Sequence, residues 1–246
     1  MKGIQAIHDK GLDAVEIEFT YGVKMSNELA KKVGDLGKKL NLHISIHAPY
    51  YVNLSSTDKR KVEASKKRIL ESCERGHHLN AKYIVFHAGY YGKLGKEECY
   101  QKIKKEIIDM MSVIKQKGWN VELAPETTGK ASQFGELDEL LRLRKETGCY
   151  LCIDFAHLKA RYQKIDYDDI FCKIKKAGLK HIQAHFSGIE YTEKGEKRHT
   201  ITPESEIKKL LLYIVNSKID STIINESPDP LGDALKSKKI LEKIES

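Results

Sequence analysis

The chain has 246 residues, five cysteines and a formal net charge of +8, a length that suits a single domain (1–246) with a sizeable core. No apolar run approaches the roughly 20 residues that span a bilayer and no leader with a small-residue cleavage site opens the chain, so neither a membrane nor secretion is expected. The odd, scattered cysteines point to reduced thiols and a cytoplasmic protein, and the positive charge permits a polyanionic partner without requiring one.

In chain order, "KGIQAIHDKG" reads as a helix, then strand-like segments alternate with amphipathic helical ones. "AVEIEF" is followed by the helix pattern "SNELAKKVGDLGKKL", "HISIHAP" by "TDKRKVEASKKRILESCERGHHL", and "YIVFHAG" by "EECYQKIKKEIIDMMSVIKQKG". "VELAPE" precedes "GELDELLRLRKETG", and "CYLCIDFAH" precedes "YDDIFCKIKKAG". "HIQAHFSG" leads through a long loop to "PESEIKKLLLYIVNS", and "STIINES" to "LGDALKSKKILEKIE". Strict alternation implies parallel strands joined by crossover helices, in a closed barrel or an open doubly wound sheet. Cys149 and Cys152 form a C-x-x-C on what reads as one strand, where an offset of three puts the thiols on opposite faces and favours a structural role.

Eight helices but only seven strands can be read, and the first element is a helix. The expectation is an α/β protein of the eightfold (TIM) barrel kind whose first β-strand is absent from this chain. Because a missing strand would leave exposed edges in a parallel barrel, the reading favours a start placed too far downstream. No G-x-G-x-x-G or Walker-type loop follows a strand, which weighs against a nucleotide cofactor.

Side chains alternate faces along a strand. In "HISIH" Ile44 and Ile46 oppose His43, Ser45 and His47; in "YIVFH" Ile84 and Phe86 oppose Val85 and His87; in "IQAHF" Ile182 and Phe186 oppose Gln183 and His185. Glu126, Asp154 and Glu226 stand at the ends of three further segments, with His157 just past a strand and His199 in the long loop. One strand histidine is ordinarily a satisfied core residue. Six imidazoles and carboxylates at the same carboxyl-terminal position, where barrels of this kind build active sites, read as a metal cluster. Nitrogen and oxygen donors without thiolate suit zinc or manganese, and eight candidates are too many for one ion.

"HAPYYVNL", "VFHAG", "APETT", "CIDFAH", "AHFSG", "RH" and "NESP" occur in the order found in the endonuclease IV family of apurinic/apyrimidinic endonucleases, and the chain resembles the archaeal branch of that family. The resemblance implies an eightfold barrel and a DNA-repair enzyme that cuts the phosphodiester bond 5′ of an abasic site in double-stranded DNA, leaving a 3′-hydroxyl and a 5′-deoxyribose phosphate. It implies two or three zinc ions, with manganese as an alternative. His47, His87 and Glu126 would hold one, Glu126 would bridge to a second held by Asp154, His185 and Glu226, and His157 and His199 would hold the third. Glu126 would be catalytic, Tyr50, Asn53 and Arg198 would contact DNA, and the enzyme would be a monomer. The family's aspartate two residues before the last histidine is here Lys197, so Glu196 or Glu190 substitutes, water fills the place, or the enzyme works with two ions.

Two rival readings remain. A single-metal sugar isomerase or epimerase of the xylose-isomerase-like barrel class would use only Glu126, Asp154, His185 and Glu226. A non-catalytic descendant would bind abasic DNA without turnover.

Overall fold

The computed structural model describes residues 1–245 as two compact units. The first comprises Met1–Glu126 and Ser132–Leu151. It contains α1 (Lys2–Asp9), β1 (Ala14–Glu18), α2 (Asn27–Lys39), β2 (His43–His47), α3 (Lys59–Leu79), β3 (Tyr83–Phe86), α4 (Lys96–Lys117), β4 (Glu122–Pro125) and α5 (Leu137–Thr147). The strands form one parallel sheet in the order β1-β2-β3-β4. All four residues of β3 are buried, as expected where helices cover a parallel sheet. Helices α2 and α3 each begin at a side-chain cap and bury one face. Ser26 accepts from the Leu29 amide at the start of α2 and Asp58 from that of Arg60 at the start of α3. Helix α3 buries Val62, Ser65, Ile69, Ser72, Cys73, Gly76 and Leu79, a three-and-four spacing that lines one side.

The second unit comprises Thr127–Ala131 and the chain from Cys152 onward. It contains β5 (Cys152–Asp154), α6 (Phe155–Tyr162), α7 (Tyr167–Lys176), β6 (His181–Phe186), β7 (Gly188–Thr192), β8 (Gly195–Thr200), α8 (Glu204–Ser217), β9 (Asp220–Asn225) and α9 (Pro230–Glu245). Strands β5, β6 and β9 form a parallel sheet in the order β5-β6-β9, while β7 and β8 form an antiparallel hairpin.

All seven anticipated strands are present, and three expectations are corrected. The residues after Asp154 form a helix, α6, because the Asp154 carboxylate accepts from the His157 amide at 2.6 Å and caps its first turn. The long loop after β6 is the β7–β8 hairpin, so His199 sits on a strand. Cys149 precedes β5 and does not share a strand with Cys152. Among the described residues no helix is long and apolar enough to cross a membrane.

Candidate functional site

In the first unit the chemistry sits where parallel strands end. His47 is the last residue of β2, His87 follows β3 and Glu126 follows β4. The register sets this up: Glu18 pairs with His47, and His47 with Val85. The Ala48 amide bonds the Val85 carbonyl and the Glu126 amide bonds that of Phe86, which carries the ladder past the assigned strands. On the same face as His47, Ser45 donates to Glu16 at 2.6 Å.

His47 and Glu126 are buried, at 3% and 1% exposure. His47 Nδ1 lies 2.8 Å from the Ala48 carbonyl oxygen, which can only accept, so Nδ1 carries the proton and Nε2 presents a lone pair. That Nε2 is 3.3 Å from Glu126 Oε2, and His87 Nε2 is 3.0 Å from the same oxygen. A lone pair facing a carboxylate oxygen is repulsive unless a proton or a metal cation lies between them. An imidazole whose other nitrogen donates to a backbone carbonyl is the usual arrangement of a metal ligand. His47, His87 and Glu126 each offer one donor atom within 4.8 Å of the others.

The second unit carries two further groups. Asp154, His185 and Glu226 present donor atoms within 4.8 Å of one another, as do Asp154, His157 and His199. Asp154 ends β5 and pairs in register with His185 on β6, and Glu226 follows β9. His185 Nδ1 is 3.1 Å from Glu226 Oε1. His157 Nδ1 donates to the Thr127 carbonyl and His199 Nδ1 to the Glu226 carbonyl, each at 3.0 Å. Both Nε2 atoms then turn lone pairs toward each other at 3.4 Å. The chemistry of these donors fits a divalent cation: imidazole and carboxylate, buried or half-buried, with the rings oriented by backbone carbonyls. Thr127, invisible as a functional residue in sequence, fixes two of these residues. Its hydroxyl accepts from the Asp154 amide at 2.8 Å, and its carbonyl holds His157.

Each expected DNA contact has a definite setting. Tyr50 is 47% exposed, lies against the His47 ring at 5.2 Å and donates to Glu18. The Asn53 side-chain oxygen accepts from the Ser55 amide, shaping the loop. Arg198 is exposed and paired with Glu190. Tyr50, Tyr51, Asn53, Arg60, Lys61 and Arg68 line a cleft of about 640 Å³ in the first unit.

A family model described as a xylose isomerase-like TIM barrel matches residues 4–244. An uncharacterized protein of Methanocaldococcus jannaschii is 36% identical over 238 residues, covering 92% of this chain and 86% of that protein. A probable endonuclease 4 of Mycoplasmopsis pulmonis is 31% identical over 182 residues, covering 71% of this chain and 63% of its own length; one of Mycoplasmopsis synoviae is 28% identical over 147 residues, covering 57% and 51%. The chain thus spans about half to two thirds of these endonuclease relatives. Among solved structures, SacUVDE gives a TM-score of 0.78 at 19% identity, covering 99% of this chain and 84% of the other. A D-tagatose 3-epimerase-like protein gives 0.74 at 19%, covering 97% and 90%. Endonuclease IV from Thermus thermophilus gives 0.71 at 19%, covering 99% and 93%. These likenesses bear out the α/β barrel fold expected from the strand–helix alternation. With the whole of the described chain but its extreme ends matched, the chain belongs to the xylose isomerase-like TIM barrel family.

Proposed function

We propose that the protein is a metal-dependent phosphodiesterase that incises DNA on the 5′ side of an abasic nucleotide. The observation that carries this reading is the surplus of oriented donors. His47, His87, His157 and His199 stand beside carboxylates in addition to Asp154, His185 and Glu226. A single-ion barrel that moves a proton on a sugar needs no such surplus, whereas phosphodiester hydrolysis uses more than one cation.

Bound divalent cations, zinc or manganese, would supply charge stabilisation to the attacking and departing oxygens and acidify a water. Ala48, Thr127 and the Glu226 carbonyl fix the ring orientations of His47, His157 and His199, so that the donor atoms need no reorganisation. Around the cleft, the Arg60, Lys61 and Arg68 side chains would meet backbone phosphates, while Tyr50 and Tyr51 offer faces for a nucleotide to stack on. An abasic nucleotide leaves the helix easily because it has no base to unstack or unpair.

A sugar epimerase is the second reading, favoured by the epimerase-like neighbour of similar TM-score. One experiment separates them. A labelled duplex with one abasic analogue is incubated with zinc-loaded protein, with chelator, and with the Glu126→Gln variant. Incision 5′ of the lesion is expected, abolished by chelator and reduced at least about a hundredfold by the substitution, since even outer partners of metal ligands are worth 10–100-fold. An intact duplex, with epimerisation of a ketohexose by the same preparation, would establish the second reading instead.

A further inference from the structure

We propose that Glu196 is the carboxylate ligand of a cation held by His157 and His199, brought there by a β-bulge at Lys197. In the hairpin Ile189 pairs with His199, Glu190 with Arg198, and Tyr191 with Glu196. One residue of β7 is thus passed while β8 spends two, and Lys197 is the extra one. On an unbroken strand residues 197 and 199 share a face and 196 points the other way. The bulge reverses this, because Ile189 and Tyr191 share a face and so do their partners His199 and Glu196.

Two of the three separations match one ion, and the third, measured to the other oxygen of Glu196, is longer. Ligands about 2.0–2.2 Å from a tetrahedral zinc lie about 3.3 Å from one another. His157 Nε2 is 3.4 Å from His199 Nε2 and 3.5 Å from Glu196 Oε2, and His199 Nε2 is 4.0 Å from Glu196 Oε1. Lys197 turns away. Its ammonium is 2.7 Å from Glu190, whose other oxygen takes Arg198. Those two cations hold the Glu190 carboxyl below its usual range and commit it to the outer face.

A second feature of the backbone serves the same placement. A Cβ on Gly129 would lie 2.7 Å from Glu196 Cβ and 3.1 Å from His157 Cδ2. The Gly129 carbonyl accepts from the Glu196 amide at 3.1 Å, and Gly195, at φ +98°, lets the strand approach that carbonyl. Two glycines therefore press the 127–131 loop onto the hairpin so that the carboxylate lies beside the imidazole.

The inference rests on the metal-binding half of the proposed function and is independent of its substrate, so the test uses zinc alone without DNA. Chelator-stripped wild type, His199→Ala, Glu196→Gln and Lys197→Ala proteins are titrated with Zn²⁺ against a chromophoric chelator, and bound zinc per chain is counted by mass spectrometry. His199→Ala should lose one ion, and Glu196→Gln should weaken that same ion at least tenfold while leaving the rest. Lys197→Ala should match wild type. Wild-type zinc binding in Glu196→Gln overturns the assignment of Glu196, and wild-type binding in His199→Ala overturns the site itself. Full zinc loading of the wild type here, together with an intact duplex in the incision assay above, would count against the phosphodiesterase reading alone.

Discussion

A single buried side chain can report its own contribution to folding. Asp233 is 1% exposed at the start of α9, where it accepts from the Thr202 amide and from Lys236, each at 2.7 Å. Burial alone would raise its carboxyl. The Lys236 ammonium, with the Thr202 and Ser227 donors, outweighs that and holds the group below its usual range. A depressed carboxylate contributes stability above the unfolded value, about 3.9, and that contribution is lost as pH falls through the folded value. Asp233→Asn should therefore cost about 1–3 kcal/mol near neutrality and flatten the loss of stability below about pH 4. Urea denaturation of both proteins across pH 3–7 checks this, and parallel acid limbs would refute it. The sequence sets Asp233 and Lys236 three apart on a helical pattern but does not show Asp233 buried, because its other partner, Thr202, lies in a loop 31 residues away. His47 and His87, by contrast, were legible because strand alternation sets them opposite Ile46 and Phe86.

At the scale of elements, Gly34 shows how closely α2 and α3 approach. A Cβ there would stand 2.6 Å from the carbonyl carbon and oxygen of Leu79, which are backbone and cannot swing aside. Alanine ordinarily gains up to about 1 kcal/mol over glycine inside a helix. Here Gly34→Ala should instead lose about 1–3 kcal/mol through overpacking, seen as a lower urea midpoint with unchanged slope; a raised midpoint would show that the helices separate without cost. The same contrast between pattern and contact explains what sequence reading reached. Seven strands followed from period-two runs bounded by turns. Helix α6 did not, since eight residues directly after a strand leave no loop to announce a start and the cap, Asp154, looked like a strand end. The β7–β8 hairpin was hidden because "GIEYTEKGEKRHT" is dominated by charged and polar residues on a mostly half-buried ribbon. Its bulge, which decides where Glu196 and Lys197 point, depends on pairing with the other strand and has no local signature.

For the molecule as a whole, the net charge of +8 only allows a polyanion; it becomes an argument through its local distribution. The cleft in the first unit sets Arg60, Lys61 and Arg68 against Asp58, with Tyr50 and Tyr51 exposed among them. Arg68 also reaches the Tyr51 carbonyl at 3.0 Å, which ties a cation to the loop that carries the aromatic faces. A neutral sugar releases no counterions on binding, whereas each phosphate neutralised in duplex DNA steepens the dependence of log affinity on log salt by about 0.9. Fluorescence anisotropy with an abasic duplex between 50 and 200 mM salt should therefore give a steep negative slope. The triple variant Arg60→Ala, Lys61→Ala, Arg68→Ala should make it shallower by about 2–3, with metal content unchanged. A slope insensitive to the three cations would detach the cleft from DNA binding even if incision occurs, and would place the phosphate contacts elsewhere on the protein.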